Sequence, residues 1–302
     1  MLIRDSLGVV FLDVLSIFSR IAMKSKTTGS SKVKSQGSLT WLASYPKSGN
    51  TWLRSIIHAG LTGSLDINRL ASTTHGFASK VAKFHKGKIV LQSPEEASKF
   101  WATCQRRMNF DLNGRKIFLK THNAAIEFDG EKFPLSNTAN GVIYIVRDPR
   151  DVIVSYSNHY RIEPRVAFDR ISSRHNHIWA TNSLERFEFL SSWDRHVLSW
   201  YGLSIPKLFL RYEDMLKEPR YNIKKIFKFL NLEPIVGLDK IISLTNFASL
   251  SRQEAANGFK EAVNGATFFK QGTSRQWEGL DHALLNEITE TFGPAMGVFG
   301  YD

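Results

Sequence analysis

Residues 39–52 read Leu-Thr-Trp-Leu-Ala-Ser-Tyr-Pro-Lys-Ser-Gly-Asn-Thr-Trp. Leu39 to Ser44 is a short apolar run of the kind that forms a buried parallel strand. Tyr45 to Asn50 carries a proline and a glycine and predicts a turn. Trp52, Leu53, Ile56, Ile57, Gly60 and Leu61 then recur at helical spacing. The unit is strand, loop, helix.

Working outward, the same alternation repeats. Lys116 to Leu119 predicts a second strand, ending at Lys120-Thr121-His122. Gly141 to Val146 is the clearest buried strand, and it runs into Arg147-Asp148-Pro149. Asp148 suits a helix cap and Pro149 the first helical position, with Val152, Ile153, Ser155 and Tyr156 following. A helix is predicted over 184–200, a fourth strand over 207–211, and another helix from Pro219 with Ile223, Ile226, Phe227 and Leu230 on one face. Pro94-Glu95-Glu96 reads as a helix start, with Phe100, Trp101 and Cys104 inward, and a last helix spans roughly 281–291. Strands separated by helices predict an α/β fold: one domain with a central parallel sheet flanked by helices, of the P-loop-like nucleotide-binding type. Ligands bind such sheets at the carboxyl ends of the strands. The polar clusters at 45–52, 120–122 and 147–155 lie there.

The folded body is expected over 39–302, preceded by an extension over 1–38. Of the 302 residues, 42% are hydrophobic and 23% charged, which is ordinary for a globular protein. The formal charge of +12 favours an anionic ligand but does not choose among nucleic acid, acidic lipid and a phosphorylated small molecule. The extension holds a surplus of four positive charges, from six Lys and Arg against two Asp. Its apolar stretch Leu7–Met23 is interrupted by Asp13 and Arg20. That predicts a surface helix or leader touching a membrane peripherally, because a span needs about 20 apolar residues. A single cysteine, Cys104, permits no intramolecular disulfide and favours a reducing, cytoplasmic location.

The loop between the first strand and helix is an anion cradle. Backbone N–H groups at a helix N-terminus point outward, and the dipole favours negative charge there. Gly49 allows close backbone approach, Lys47 adds a cation, and Ser48 and Thr51 add hydroxyl donors. The lysine precedes the glycine, whereas a Walker A loop places it after. A P-loop kinase of a small metabolite is the alternative enzyme, and the loop disfavours it. A non-enzymatic polyanion-binding protein is permitted by the charge, but no nucleic-acid-binding motif accompanies it, so no nucleic-acid partner is expected.

The string Tyr45-Pro46-Lys47-Ser48-Gly49-Asn50-Thr51-Trp52 resembles the 5′-phosphosulfate loop of the PAPS-dependent sulfotransferase family, Y-P-K-S-G-T-T-W, departing only at Asn50. PAPS is 3′-phosphoadenosine 5′-phosphosulfate, and its product is PAP. The resemblance implies that Lys47 meets the transferring group and 5′-phosphate and that Trp52 packs on adenine. Arg147, with Ser155 eight residues on, resembles the family's 3′-phosphate element. The intervening Arg150 and Asp151 leave room for a plain solvated pair. Softer matches are Leu210-Arg211-Tyr212-Glu213-Asp214-Met215, where the tyrosine meets adenine; Thr245-Asn246-Phe247, like the family's T-S-F; and Phe269-Lys270-Gln271-Gly272, where the family has R-K-G. Trp277 corresponds to a loop tryptophan. The resemblance covers roughly residues 39–280.

Sulfuryl transfer needs a base for the acceptor proton and positive charge for the departing phosphate. A free histidine pKa near 6.5 leaves it largely neutral at pH 7. Lys120-Thr121-His122 stands where the family carries K-x-H. The implied assignment is His122 as base, Lys47 on the bridging oxygen and Lys120 assisting, in a metal-free in-line transfer. The acceptor is a hydroxyl or amine of a small-molecule or lipid-like compound, and residues 62–115, 160–185 and 250–270 are expected to shape its pocket, their aromatics suiting phenols, steroids and lipid-like alcohols equally. The family's dimer motif is not recognisable, so oligomeric state is unpredicted. His75, His85, His159, His175 and His177 read as structural, with the alternative that two of them touch the acceptor and nothing in the sequence to rank them.

Overall fold

The structure is a computed structural model of the chain. It describes residues 38–70, 73–74, 104–106, 116–128, 130–180, 183–262, 267–270 and 272–301. The expected extension, most of the 94–104 helix, His75, His85 and Gln271 lie outside the described residues.

The central sheet has strands β1 (Ser38–Ala43), β2 (Thr73–Thr74), β3 (Lys116–Thr121), β6 (Ala139–Val146) and β9 (Lys207–Arg211), in the order β2-β3-β1-β6-β9. Every pairing within it is parallel. Alternation along a strand sends successive side chains to opposite faces. Leu39, Trp41, Ala43, Val142, Tyr144 and Val146 face one core, and Leu42, Ile143 and Ile145 face the other. Both faces are therefore apolar, which is why these strands read as continuous hydrophobic runs.

Helix α1 (Asn50–Thr62) covers the second face with Leu53, Ile56 and Ile57, joined by α6 (Pro219–Leu230) and α7 (Leu238–Thr245). Helices α2 (Pro149–Tyr160), α3 (Pro164–Ser172), α4 (Trp193–Tyr201) and α9 (His282–Val298) cover the first. Two further helices are α5 (Tyr212–Lys217) and α8 (Phe247–Asn257). Asp148 caps α2 by accepting from the Arg150 N–H at 2.9 Å, with Pro149 in the first turn. Cys104 is buried in the first core.

The region expected to be one helix over 184–200 is not. It divides into β8 (Ser183–Phe189), paired antiparallel with β7 (His177–Ala180), and then α4. A second hairpin joins β4 (Ile126–Phe128) to β5 (Glu131–Phe133). The last helix also runs further than 291, to Val298, with Pro294 inside it.

Register decides where the chemistry lies. Ala43 is level with Thr121 on β3 and with Tyr144 on β6, and Val146 is level with Arg211 on β9. The loop after β1, His122 after β3, Arg147 after β6 and Tyr212 after β9 thus emerge along one carboxyl edge. The chain passes to β3 on one side of β1 and to β6 on the other, so that edge opens a crevice at β1.

Candidate functional site

A cavity of about 840 Å³ opens at this edge. Lys47, Gly49, Asn50, Thr51, Trp52, Lys120, His122, Arg147, Ser155, Tyr212, Thr245, Phe247, Lys270 and Gly272 all line it. Ser48 is buried behind the lining, and Asn246 stands apart from it. The Asn246 side chain caps α8 instead, accepting from Ser249 N–H at 2.8 Å and donating to the Ser243 carbonyl.

The cradle is held by backbone conformations that few residues tolerate. Gly49 has φ +110°, and a Cβ there would lie 2.8 Å from Ile145 Cδ1 and from Tyr212 Cδ2. Lys47 also has a positive φ, 68°. The Asn50 amide donates to the Leu42 carbonyl at 3.0 Å, which ties the loop back to β1 and occupies the side chain in structure. Ser48 Oγ and Arg147 Nε are buried without a hydrogen-bond partner among the described residues. Buried donors of that kind are costly unless a ligand or water meets them.

Beside the cradle, Arg147 lies 4.4 Å over the Tyr212 ring, and Tyr212 meets Trp52 edge-on at 5.5 Å. These three groups make a cationic-aromatic wall. Arg147 also donates to the carbonyls of Lys47 and Thr273, at 3.3 and 3.0 Å. Asp151 is fully buried rather than solvated: it accepts from the N–H groups of Arg275 and Trp277 and stands 3.6 Å from Arg147. Arg150 is buried too, paired with Asp148 and lying 4.2 Å over Trp277. The two residues, for which a plain solvated pair was left open, are instead split between two internal contacts. Lys270 reaches Asn158 Oδ1 at 2.8 Å on the cavity rim.

His122 is fixed by its neighbours. Its Nδ1 is 2.7 Å from the Ser44 carbonyl, an acceptor only, so Nδ1 carries the proton and Nε2 is the basic nitrogen. The His122 N–H donates to Glu188 Oε1 at 2.6 Å. The His122 carbonyl accepts from His196 Nε2 at 3.0 Å, and His196 Nδ1 in turn meets the Tyr144 hydroxyl at 2.8 Å. Burial, then the Lys120 charge, holds the His122 pKa well below its usual value, so the ring is neutral at pH 7. Lys47 is lowered to about 7, by burial first and then by Arg147. Its ammonium lies 3.8 Å from the Phe268 ring.

Several lining residues carry no motif in the sequence. Glu188 arrives from the hairpin misread as helix, and Phe268 and Glu261 from 250–270, a segment expected at the pocket without any one of these residues being singled out. His159 lines the cavity, whereas His175 and His177 are exposed.

The profile of the sulfotransferase domain family matches residues 38–300. The chain belongs to the sulfotransferase family. This sulfotransferase is 29% identical to cytosolic sulfotransferase 8 of Arabidopsis thaliana, over 78% of this chain and 70% of that protein. It is 26% identical to sulfotransferase 1A1 of Rattus norvegicus, over 82% and 80%. Its fold is similar to that of mouse sulfotransferase SULT7A1 crystallised with PAP, with a TM-score of 0.56, 21% identity, and coverage of 86% and 84%. A retinol dehydratase in complex with androsterone and the inactive cofactor PAP matches with a TM-score of 0.55 and 17% identity, over 95% and 85%. Among the described residues, no helix of this sulfotransferase is long and apolar enough to cross a membrane.

Proposed function

We propose that this sulfotransferase moves the sulfuryl group of PAPS to a hydroxyl or amine of a small-molecule or lipid-like acceptor, using His122 as the base. The observation that carries this reading is convergence: loops after three adjacent strands bring Lys47, His122 and Arg147 to one cavity. The orphaned donors Ser48 Oγ and Arg147 Nε suit a ligand with phosphate at both ends. Trp52, Tyr212 and Phe247 offer faces for the adenine between those ends. Arg147 and Ser155 would hold the 3′-phosphate, with Lys270 at the rim. Lys47 and the first turn of α1 would hold the 5′-phosphosulfate.

The acceptor oxygen attacks sulfur as the sulfur–oxygen bond to the 5′-phosphate breaks. Its proton passes to His122 Nε2, which the Ser44 carbonyl leaves unprotonated. Lys47 and Lys120 stabilise the charge that builds on the departing oxygen. The products are the sulfated acceptor and PAP. The cavity volume lies in the usual range for small-molecule sites. A folded body over 39–302, a separate extension over 1–38 and a cytoplasmic location with peripheral membrane contact complete the proposal.

The test is turnover with labelled PAPS against a panel of phenols, steroids, long-chain alcohols and amines, read by mass spectrometry. A sulfated product is expected. His122→Ala should then lower turnover by roughly 10²–10⁴ while PAP binding stays intact. Full turnover in that variant would remove His122 from its role.

A further inference from the structure

The cavity contains a carboxylate that the reaction above does not use. Glu261 comes from the segment following α8 and lines the cavity. Its Oε1 accepts from Arg54 Nη1 at 2.6 Å. Its Oε2 accepts from Thr51 Oγ1 at 3.2 Å and lies 3.6 Å from Lys120 Nζ. Thr51 and Arg54 are three positions apart on α1, so they share a face and converge on one spot. Lys120 reaches that spot from β3, two residues before His122. The carboxylate therefore touches both the first turn of the anion cradle and the lysine that precedes the base, beside the place where the sulfuryl of a bound donor would lie.

Carboxylate and sulfuryl are both oxyanions, and the same guanidinium and ammonium donors recognise them. Arg54 has only 1% of its surface exposed. A guanidinium buried this deeply is tolerated where an anion meets it. Here that anion is supplied by a separate segment of chain rather than by a neighbour on α1.

We propose that Arg54 is a further catalytic residue of this sulfotransferase, contacting the transferring sulfuryl, and that Glu261 is a built-in stand-in holding the subsite until the donor arrives. The inference rests on PAPS being the donor. As PAPS enters, Glu261 gives up Arg54, Thr51 and Lys120, and the sulfuryl oxygens take them. Arg54 then joins Lys47 and Lys120 in balancing charge while the bond from sulfur to the 5′-phosphate breaks.

PAP lacks the sulfuryl, so comparing PAPS with PAP isolates the subsite. Equilibrium binding of both ligands without acceptor, and turnover with it, would be measured for the full chain and for Arg54→Met, Arg54→Lys and Glu261→Gln. Arg54→Met should weaken PAPS far more than PAP and lower kcat by ~10²–10³, the scale of one lost oxyanion donor. Arg54→Lys should recover part of both losses. Glu261→Gln should tighten PAPS. Equal weakening of PAP and PAPS by both Arg54→Met and Glu261→Gln would make the pair a structural clamp and overturn the proposal. Where Arg54→Met does not fold, Glu261→Gln decides alone, and unchanged or weaker PAPS binding overturns the proposal. Failure of the parent protein to bind PAP would instead overturn the donor assignment on which it rests.

Discussion

Lys47 shows how one residue couples binding to protonation. Burial, then Arg147, brings its pKa down to about 7 from an ordinary 10.5. The folded value lies below the unfolded one. The cost of burying this charge is therefore present below about pH 7 and is relieved as pH rises from there towards 10.5. A phosphosulfate placed against the amine reverses the preference and favours the ammonium. PAP binding should thus take up a proton near neutral pH, and affinity should fall as pH rises above about 7. Calorimetry in two buffers of different ionisation enthalpy reads the uptake directly. Equal heats in both buffers, with a flat affinity from pH 7 to pH 9, would contradict it. At this scale Lys47 and His122 were legible, because each follows a strand in a recognisable string. Glu261 and Glu188 were not, because nothing in their local sequence encodes which distant strand they approach.

At the scale of elements, the first strand, loop and helix form one device. Gly49 makes the turn at φ +110°, and the space its Cβ would need is filled by Ile145 of β6 and by Tyr212. Gly49→Ala should cost about 1–3 kcal/mol from backbone strain alone, before the side-chain clash. It should lower the thermal midpoint and weaken PAP together. An unchanged midpoint with full PAP affinity would show that the loop does not need this conformation. The parallel strands were legible because apolar residues on both faces leave long hydrophobic runs. The 184–200 stretch was misread for a related reason. Phe187, Phe189 and Leu190 lead into Trp193, Val197 and Trp200, and an apolar stretch of this length fits helix and strand periods alike. The break comes at Ser191, with φ 59°, just before α4 begins. A non-glycine residue in the left-handed region leaves little trace in sequence.

At the scale of the whole molecule, part of the formal charge of +12 is directed inward at the cavity. Lys47, Lys120, Arg147 and Lys270 all line it, answered there by Glu188 and Glu261. This imbalance suits a ligand with several negative charges more than a neutral one. The fold class followed from the alternation of strands and helices, and the family from two strings about a hundred residues apart. The individual residues that the β7–β8 hairpin and the segment around Phe268 bring to the cavity did not follow, because their meeting is a property of the assembled fold. The proposed reaction requires one cleft to grip a single nucleotide by phosphates at both ends. Calorimetric titration of the full chain with PAP and with adenosine 5′-phosphate, which lacks the 3′-phosphate, tests it most directly. PAP should bind saturably and the monophosphate clearly more weakly, with the difference lost in Arg147→Met. No heat with PAP, or equal affinity for the two nucleotides in the parent protein, would contradict it.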